Sequence, residues 1–317
     1  MSFAPFPPGY KIAVVGSGAV GCYYGGRLAQ HGRNVHFLMR SDLAAVKKNG
    51  LTVRSPDGNF QLPHVNASAD VAEIGPCDLV IISVKTTSNP DLLRLLPPLL
   101  HAETALLTLQ NGLGNEEFLA EHFGAERVMG GLCFVCLNRV GHGTVEHYGH
   151  GSLSVGEFSR TPQPRTDQVA GEFRECGIKV RTVEALAAER WRKLVWNVPF
   201  NGLSIAAGGI TTDQILADEG LLTLLRNLMR EIIGIAAKEG HIIPESFIDV
   251  QVDRTVGMGA YKPSSLIDFA DGRAVEVESI WGEPYLRGLQ ACAEVGRLEA
   301  LYFLLKKLNT QRMGERS

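Results

Sequence analysis

The sequence has no apolar run of the ~18 residues that a membrane-spanning helix requires. It has no basic excess either: 31 Lys and Arg stand against 34 Asp and Glu, for a net charge of -3. A nucleic-acid partner is therefore not expected, because nothing would neutralise a phosphate backbone. The first ten residues lack a basic start and a long apolar stretch, which argues against a secretory signal.

Cysteine is also sparse. The six cysteines are scattered and lie mostly among apolar residues, a pattern typical of reduced thiols in the cytoplasm rather than of a disulfide framework. Cys133 and Cys136 have the spacing of a metal-binding pair, but apolar neighbours place them in a strand and no second pair completes a zinc site. No metal centre is predicted.

Repeats and low-complexity linkers are absent as well, so domain number is judged from length. At roughly 100–200 residues per domain, 317 residues predict two domains. The pattern changes from alternating strands and helices to helices alone near Ala185. We therefore predict domains at residues 1–184 and 185–317.

The first domain alternates short apolar runs with helical patterns. A helix is expected at Ala19–His31, and buried strands at Lys11–Val15, Asn34–Met39, Asp78–Val84 and Ala105–Leu109. Unbroken apolar strands that alternate with helices are typical of a parallel sheet covered on both faces, that is, of an α/β, Rossmann-type domain.

Glycine and histidine become frequent between Gly130 and Gly156. Short strand-like runs at Leu132–Leu137 and Ser152–Val155 predict hairpins that close the first domain. The three histidines of this region are expected to be solvent-facing turn residues: His142, His147 and His150.

The second domain is predicted to be all-α. Leu221–Glu239 is a strongly apolar helical segment that ends at Gly240, a common stop signal. Further helices are expected at Val275–Val295 and Leu298–Leu308, and Trp191–Asn197 is expected to begin another.

A glycine-rich turn of the form GxGxxG directly follows the first strand and opens the first helix. Its glycines permit a tight turn, close approach of a pyrophosphate and close packing of the helix on the strand. The alternative is a purely structural turn. The predicted cofactor-binding residues here are Gly16, Ser17, Gly18, Ala19, Val20 and Gly21.

The residue after the second strand indicates which dinucleotide is bound. An acidic residue there would hold the ribose 2′-hydroxyl of NAD, whereas Arg40 suits the 2′-phosphate of NADP. The alternative is an ordinary exposed arginine. Lys85 and Asn111 follow the third and fourth strands, where ligands of parallel sheets collect, although the Asn111-Gly112 pair is equally a common turn signal.

Two polar groups in the second half could line a site for a small anion. Lys193, Asn197 and Asn201 are spaced four residues apart and share one helix face, which could equally be a solvated surface. Farther on, Ser264 precedes a helical segment and Glu276 lies among apolar neighbours. The alternative is that the serine caps a helix and the glutamate lies on the surface, without a functional role.

These motifs together resemble the ketopantoate reductase (2-dehydropantoate 2-reductase) family, over nearly the whole chain. The features that carry the resemblance are the GxGxxG turn, Arg40, Lys85, Gln110–Gly112, the WxKLxxN of Trp191–Asn197, Asn201, and the Ser264, Asp268 and Glu276 run ending at Gly282. Gly202 departs from it, because the family often has proline there.

The resemblance implies an NADPH-dependent reductase of a small 2-oxo acid, with an active site between a Rossmann domain and a helical domain. It makes Lys193 the general acid and Glu276 its orienting partner. The implied substrate contacts are Asn111, Asn197, Asn201 and Ser264, and the implied NADP contacts include Arg40, Lys85 and Asn111. The alternative functions are reduction of a different 2-oxo acid and a non-catalytic role as an NADP-binding sensor. A homodimer is compatible with the sequence.

Overall fold

The computed structural model describes residues 6–314, and these form two compact units. The first unit is the chain up to Gln110 together with Asn115–Leu186. The second is Asn111–Gly114 together with the chain from Ala187 onward. The loop Asn111–Gly114 therefore groups with the second unit although it directly follows a strand of the first.

The first unit is built on one mixed sheet flanked by helices. Its strands are β1 (Lys11–Val15), β2 (Asn34–Leu38), β3 (Leu51–Arg54), β4 (Phe60–Leu62), β5 (Asn66–Ser68), β6 (Leu79–Ile82), β7 (Ala105–Thr108), β8 (Val128–Gly141), β9 (Thr144–Glu157) and β10 (Val180–Thr182). Its helices are α1 (Ala19–Gln30), α2 (Leu43–Asn49), α3 (Val71–Ile74), α4 (Asn89–Leu95), α5 (Asn115–Phe123) and α6 (Pro164–Glu175), with 3-10 turns at Thr86–Ser88, Pro97–Leu99 and Ala125–Arg127.

The strand order is β4-β3-β9-β8-β7-β6-β1-β2-β5, with β10 beside β9. Strand β1 runs parallel to both β2 and β6, and β7 runs parallel to β6 and β8. Alternate residues of β1 enter separate apolar clusters, Ile12 and Val14 on one face and Ala13 and Val15 on the other. Burial on both faces explains the unbroken apolar runs, and the predicted α/β fold is confirmed.

The region rich in glycine and histidine forms a single long antiparallel hairpin of β8 and β9. The two predicted strand runs lie inside these longer strands, and Cys133 and Cys136 lie in β8 and form no disulfide. Within residues 6–314, no group of three or more metal-ligating side chains could hold a metal ion.

The prediction that His147 faces solvent is wrong. Its side chain is fully buried and its ring lies 4.7 Å from that of Tyr23. Ser55 Oγ lies 2.8 Å from Nδ1, and the Gly149 carbonyl lies 2.9 Å from Nε2. Because a carbonyl only accepts, Nε2 carries the proton and Nδ1 accepts from Ser55. The sequence pattern missed this because Ser55 and Tyr23 come from distant elements.

We expect burial of His147 to make the protein less stable in mild acid. Burial lowers the pKa of His147 below 6.5, although the Gly149 carbonyl and the charge of Asp57 oppose the shift. As the pH is lowered below 6.5, the unfolded chain therefore takes up this proton before the folded chain does. The free energy of unfolding decreases as a result, until the pH has passed below the pKa of the folded state. Above pH 6.5 both states carry a neutral ring and the effect vanishes.

Apparent melting temperatures measured across this pH range check that expectation. His147→Gln should lose part of the acid sensitivity of the parent. Equal profiles for the parent and His147→Gln would remove His147 from the explanation.

The second unit is helical throughout residues 187–314, all of which are described. Its helices are α7 (Leu186–Ala206), α8 (Thr212–Ala217), α9 (Glu219–Lys238), α10 (Phe247–Val256), α11 (Ser264–Ala270), α12 (Glu283–Gln290) and α13 (Gly296–Gly314), with a π-helical segment at Glu278–Gly282. One apolar cluster joins these helices around Val195, Met229 and Trp281. The predicted all-α character is confirmed. No helix within residues 6–314 has both the length and the apolar character needed to cross a bilayer.

The prediction of one continuous helix over Val275–Val295 is wrong. The π-helical segment Glu278–Gly282 comes first, and α12 follows and stops short of the predicted end. Pro284 has no N–H with which to bond the Ile280 carbonyl, while the Glu283 N–H donates to the carbonyl five residues before it. The wider π-helical turn therefore gives the Glu283 N–H an acceptor next to Pro284, where an α-helical hydrogen bond would be missing.

Candidate active site

The glycine-rich turn between β1 and α1 is built for close packing at two positions and leaves space at a third. A Cβ on Gly16, whose φ is +101°, would lie 2.3 Å from the Val84 nitrogen, and one on Gly21 would lie 2.3 Å from the Gly16 carbonyl oxygen. No atom lies within 4 Å of the position that a Cβ on Gly18 would take. The open backbone at Gly18 fits the approach of a pyrophosphate.

The start of α1 is suited to an anion. Gly18 caps the helix without a side-chain hydrogen bond, and its first turn has no acidic residue, so the helix dipole favours a phosphate there. Ser17 Oγ donates to the Leu38 carbonyl at 2.8 Å and Ser83 Oγ to the Gly16 carbonyl at 2.7 Å. These hydroxyls tie the turn to the ends of β2 and β6. Ala19 and Val20, in the first helical turn, pack against the apolar core.

Arg40 lies two residues beyond the end of β2, and its side chain is 66% exposed. Its Nη2 lies 3.3 Å from an Asp91 carboxylate oxygen at the start of α4. An exposed ion pair of this length contributes little to stability. The guanidinium is accessible to a ligand phosphate.

Asp42, two residues farther on, was missed by the sequence analysis. Its carboxylate accepts hydrogen bonds from His142 Nδ1 at 2.9 Å, the Gly143 N–H at 3.1 Å and Ser41 Oγ at 3.0 Å, and Arg139 Nη1 lies 3.0 Å away. Burial raises the pKa of Asp42, but these hydrogen bonds and the Arg139 charge outweigh it, so the pKa lies below its ordinary value. Asp42 is therefore ionised and held by the tip of the β8–β9 hairpin.

Gln110 connects the loops that follow β6 and β7. Its Nε2 donates to the Val84 carbonyl at 3.0 Å and to Asn89 Oδ1 at 2.8 Å, and its Oε1 accepts from Thr108 Oγ1 at 2.9 Å. Lys85 directly follows Val84, so this buried amide fixes the segment that presents the lysine. The sequence motif alone indicated no separate role for Gln110.

In the second unit, Lys193 and Asn111 form a direct contact. Lys193 Nζ donates to Asn111 Oδ1 at 2.7 Å, and both residues are half-buried. Lys193 lies in the middle of α7, not near its start as predicted, since the helix begins at Leu186. The amide holds the ammonium in one orientation.

The loop that carries Asn111 is fastened to the π-helical segment Glu278–Gly282. The Leu113 N–H donates to the Ser279 carbonyl at 2.9 Å. Gly112 has a φ of +84°, and a Cβ there would lie 2.3 Å from the same carbonyl oxygen. Ser279 Oγ in turn donates to the Glu276 carbonyl at 3.3 Å, so the segment that follows Glu276 positions Asn111. Single π-helical turns occur often at functional sites.

Asn201, which shares the predicted polar helix face with Lys193 and Asn197, contacts the start of α11. Asn201 is 2% exposed; its Nδ2 donates to the Asn197 carbonyl at 3.0 Å, and its Oδ1 accepts from the Ser265 N–H at 3.0 Å. Asn201 thus caps the first turn of α11, where Ser264 is exposed. This contact joins the polar helix face to Ser265, the residue directly after Ser264, a link that spacing in the sequence could not reveal.

Comparison with known proteins shows the family to which the chain belongs. The family model described as ketopantoate reductase PanE/ApbA matches residues 12–160, and its C-terminal counterpart matches residues 185–309. A 2-dehydropantoate 2-reductase from Nostoc is 41% identical over 304 residues, covering 94% of this chain and 95% of that protein. This chain belongs to the ketopantoate reductase family.

Solved structures of ketopantoate reductases share the fold. The 2-dehydropantoate 2-reductase of Geobacter metallireducens has a TM-score of 0.91 and 43% identity, covering 94% of this chain and 99% of that one. A D-mandelate dehydrogenase solved with NADH and anilino(oxo)acetate has a TM-score of 0.88 at 20% identity, over 95% and 99% of the two chains. At that identity the likeness is one of fold.

Within this chain, the predicted residues form separate groups. In the first unit, the glycine turn, Arg40 and Lys85 follow the carboxyl ends of β1, β2 and β6. In the second unit, Lys193 contacts Asn111, and Asn201 joins Asn197 to the start of α11. The predicted substrate and cofactor contacts of these residues stay predictions.

Proposed function

We propose that this protein reduces a small 2-oxo acid with NADPH, and that its substrate is 2-dehydropantoate, which becomes pantoate. The observation that carries the proposal is the ammonium of Lys193 held 2.7 Å from Asn111 Oδ1 in a chain of the ketopantoate reductase family. The Nostoc and Geobacter relatives are both named 2-dehydropantoate 2-reductase.

Lys193 supplies the proton. NADPH, when bound, provides the hydride that adds to the carbonyl carbon of the substrate. As the carbonyl oxygen gains negative charge, the Nζ–H of Lys193 stabilises it and then transfers its proton, which forms the hydroxyl and leaves a neutral amine. Solvent reprotonates the amine before the next turnover. Asn111 aims the ammonium, because its amide oxygen can only accept.

The other predicted residues bind and orient the substrate. Ser264, exposed at the start of α11, would donate to the substrate carboxylate. Glu276 would hold the substrate and keep Lys193 charged and oriented. Asn197 and Asn201 would contact a remote hydroxyl group. Because the Ser265 N–H donates to Asn201 Oδ1, Asn201 would also position the adjacent Ser264.

The first unit fits a dinucleotide, and Arg40 favours NADPH. The fold alone does not decide between the two dinucleotides, since D-mandelate dehydrogenase shares it and was solved with NADH. An arginine after β2 can pair with the 2′-phosphate, which NADH lacks. Lys85, presented by the loop after β6, would supply a second cation.

Arg40→Ala should therefore erode the preference for NADPH over NADH. Loss of a charge-assisted contact to phosphate is expected to weaken NADPH binding about tenfold to a hundredfold, with little change for NADH. Dissociation constants from fluorescence titration measure both. Arg54→Ala is a suitable control, because Arg54 is an exposed arginine of the same unit that pairs with Glu146. Unchanged discrimination in the Arg40 variant would remove this residue from the proposal.

A panel of 2-oxo acids tests the function. The decay of NADPH absorbance is followed with 2-dehydropantoate and with other branched or hydroxylated 2-oxo acids, and 2-dehydropantoate should give the highest kcat/KM. A better substrate in the panel would favour a reductase of a different 2-oxo acid. Tight NADPH binding without turnover on any of them would favour a sensor.

We further expect a cytoplasmic protein that has no nucleic-acid partner. Sedimentation would test whether the protein forms a homodimer.

A further inference from the structure

An acidic residue lies close to Arg40, where it would be expected to disfavour NADPH. Asp42 is only two residues from Arg40 in the segment after β2. A carboxylate in this part of a Rossmann domain binds the ribose 2′-hydroxyl of NAD and repels a 2′-phosphate. Arg40 and Asp42 therefore have opposite effects on nucleotide choice unless one of them is masked.

The tip of the β8–β9 hairpin masks the carboxylate. The Asp42 side chain is 4% exposed, and its donors from the hairpin are His142, the Gly143 N–H and Arg139. Arg139 has the one fixed positive charge among these donors, and its Nη1 lies 3.0 Å from Oδ1. The carboxylate is thus turned toward the hairpin and its charge is balanced there.

The hairpin is held at this place independently of the Asp42 contacts. The Thr52 N–H donates to the Gly143 carbonyl at 2.9 Å, and β3 pairs with β9 from Thr144 onward. A Cβ on Gly143 would lie 2.8 Å from a Val46 side-chain carbon of α2. The backbone therefore presents Arg139 to Asp42, and loss of the Arg139 side chain need not displace the hairpin.

We propose that Arg139 is a positioning residue that sets the dinucleotide preference by neutralising Asp42, so that Arg40 alone determines the charge met by the adenosine ribose. The proposal rests on the proposed use of NADPH. It predicts that the Asp42 carboxylate weakens NADPH binding once the Arg139 side chain is removed. Removal of both the Arg139 and the Asp42 charges should restore NADPH binding.

The test compares dissociation constants for NADPH, NADH and 2′,5′-ADP, the last of which carries the 2′-phosphate without the nicotinamide. In Arg139→Ala, binding of NADPH and 2′,5′-ADP should weaken about tenfold, as an uncompensated like charge near a phosphate implies. NADH binding should be unchanged or tighter. The double variant Arg139→Ala with Asp42→Asn should regain most of the NADPH preference, and Arg139→Lys should retain it.

Arg54→Ala is the matched control, since it removes an exposed arginine that pairs with β9 at Glu146 without touching Asp42. It should bind all three ligands as the parent does, and melting temperatures confirm that each variant is folded. Equal weakening of NADPH and NADH in Arg139→Ala would overturn the proposal. So would a double variant that stays impaired, because Arg139 would then contact the phosphate itself.

The result that would refute the use of NADPH differs from the result that would refute the role of Arg139. A parent protein that binds NADPH and NADH equally would refute the use of NADPH before any variant is compared. A parent that prefers NADPH together with an Arg139→Ala variant that keeps the full preference would refute only the role of Arg139.

Discussion

Lys193→Ala should lower kcat by about 10²–10⁴-fold, the usual contribution of a positioned proton donor. The ammonium lies 2.7 Å from Asn111 Oδ1, and the proposed reaction uses it when the carbonyl oxygen gains charge. NADPH affinity should change little, because the substitution leaves the glycine turn, Arg40 and Lys85 in the other unit intact, and Asn111 is the one predicted NADP contact that Lys193 touches. Equal losses in kcat and kcat/KM would indicate an interaction made only in the transition state.

Two further substitutions sharpen this experiment. Lys193→Arg keeps a positive charge but is a poor acid, because a guanidinium does not give up its proton near neutral pH; it should recover only part of the rate. Lys307→Ala removes an exposed lysine of α13 and should be fully active. A Lys193→Ala enzyme within a few-fold of the parent would mean that another group supplies the proton.

Gly112→Ala should be the second most damaging change, although Gly112 carries no functional group. A non-glycine residue at a φ of +84° costs about 1–2 kcal/mol. The added Cβ would also lie 2.3 Å from the Ser279 carbonyl oxygen, a backbone atom that cannot swing aside. The loop must shift and carry Asn111 away from Lys193. A displacement of this kind can lower kcat about 10²-fold, together with a lower melting temperature.

Gly240→Ala separates the two causes. Gly240, after α9, has a φ of +86°, but no atom lies within 4 Å of a Cβ placed there. This variant should lose some stability to backbone strain and keep its kcat. If Gly112→Ala kept full kcat at a temperature where it is folded, the loop would not be what aims Asn111 at Lys193.

Structural elements that are determined by residues close together in the sequence were predictable. The strand β1 and helix α1 follow from an unbroken apolar run and a helical pattern separated by GxGxxG, since burial and glycine chemistry act within a few residues. The helix α9 was predictable from its apolar face and from Gly240. The stripe of Lys193, Asn197 and Asn201 follows from helical periodicity.

Contacts between distant segments were not predictable in the same way. Asp42 is held by Arg139 and His142, about a hundred residues away, and His147 is buried against Tyr23 and Ser55. Such pairings depend on strand register, which no local pattern records. The π-helical segment depends on Pro284, which has no N–H, and on the hydrogen bond from the Glu283 N–H to the Glu278 carbonyl. The association of Asn111 with Lys193 likewise depends on a loop that leaves the sheet to join the helical unit.

Transfer of the hydride from NADPH to the substrate can be followed with deuterium. The enzyme is supplied with 2-dehydropantoate and with NADPH that carries deuterium at both positions of nicotinamide C4, and the product is analysed by mass spectrometry and NMR. We predict pantoate with one deuterium at C2, formed much more slowly by Lys193→Ala. An enzyme that binds NADPH but yields no deuterated hydroxy acid from this substrate or from any other 2-oxo acid would contradict the account.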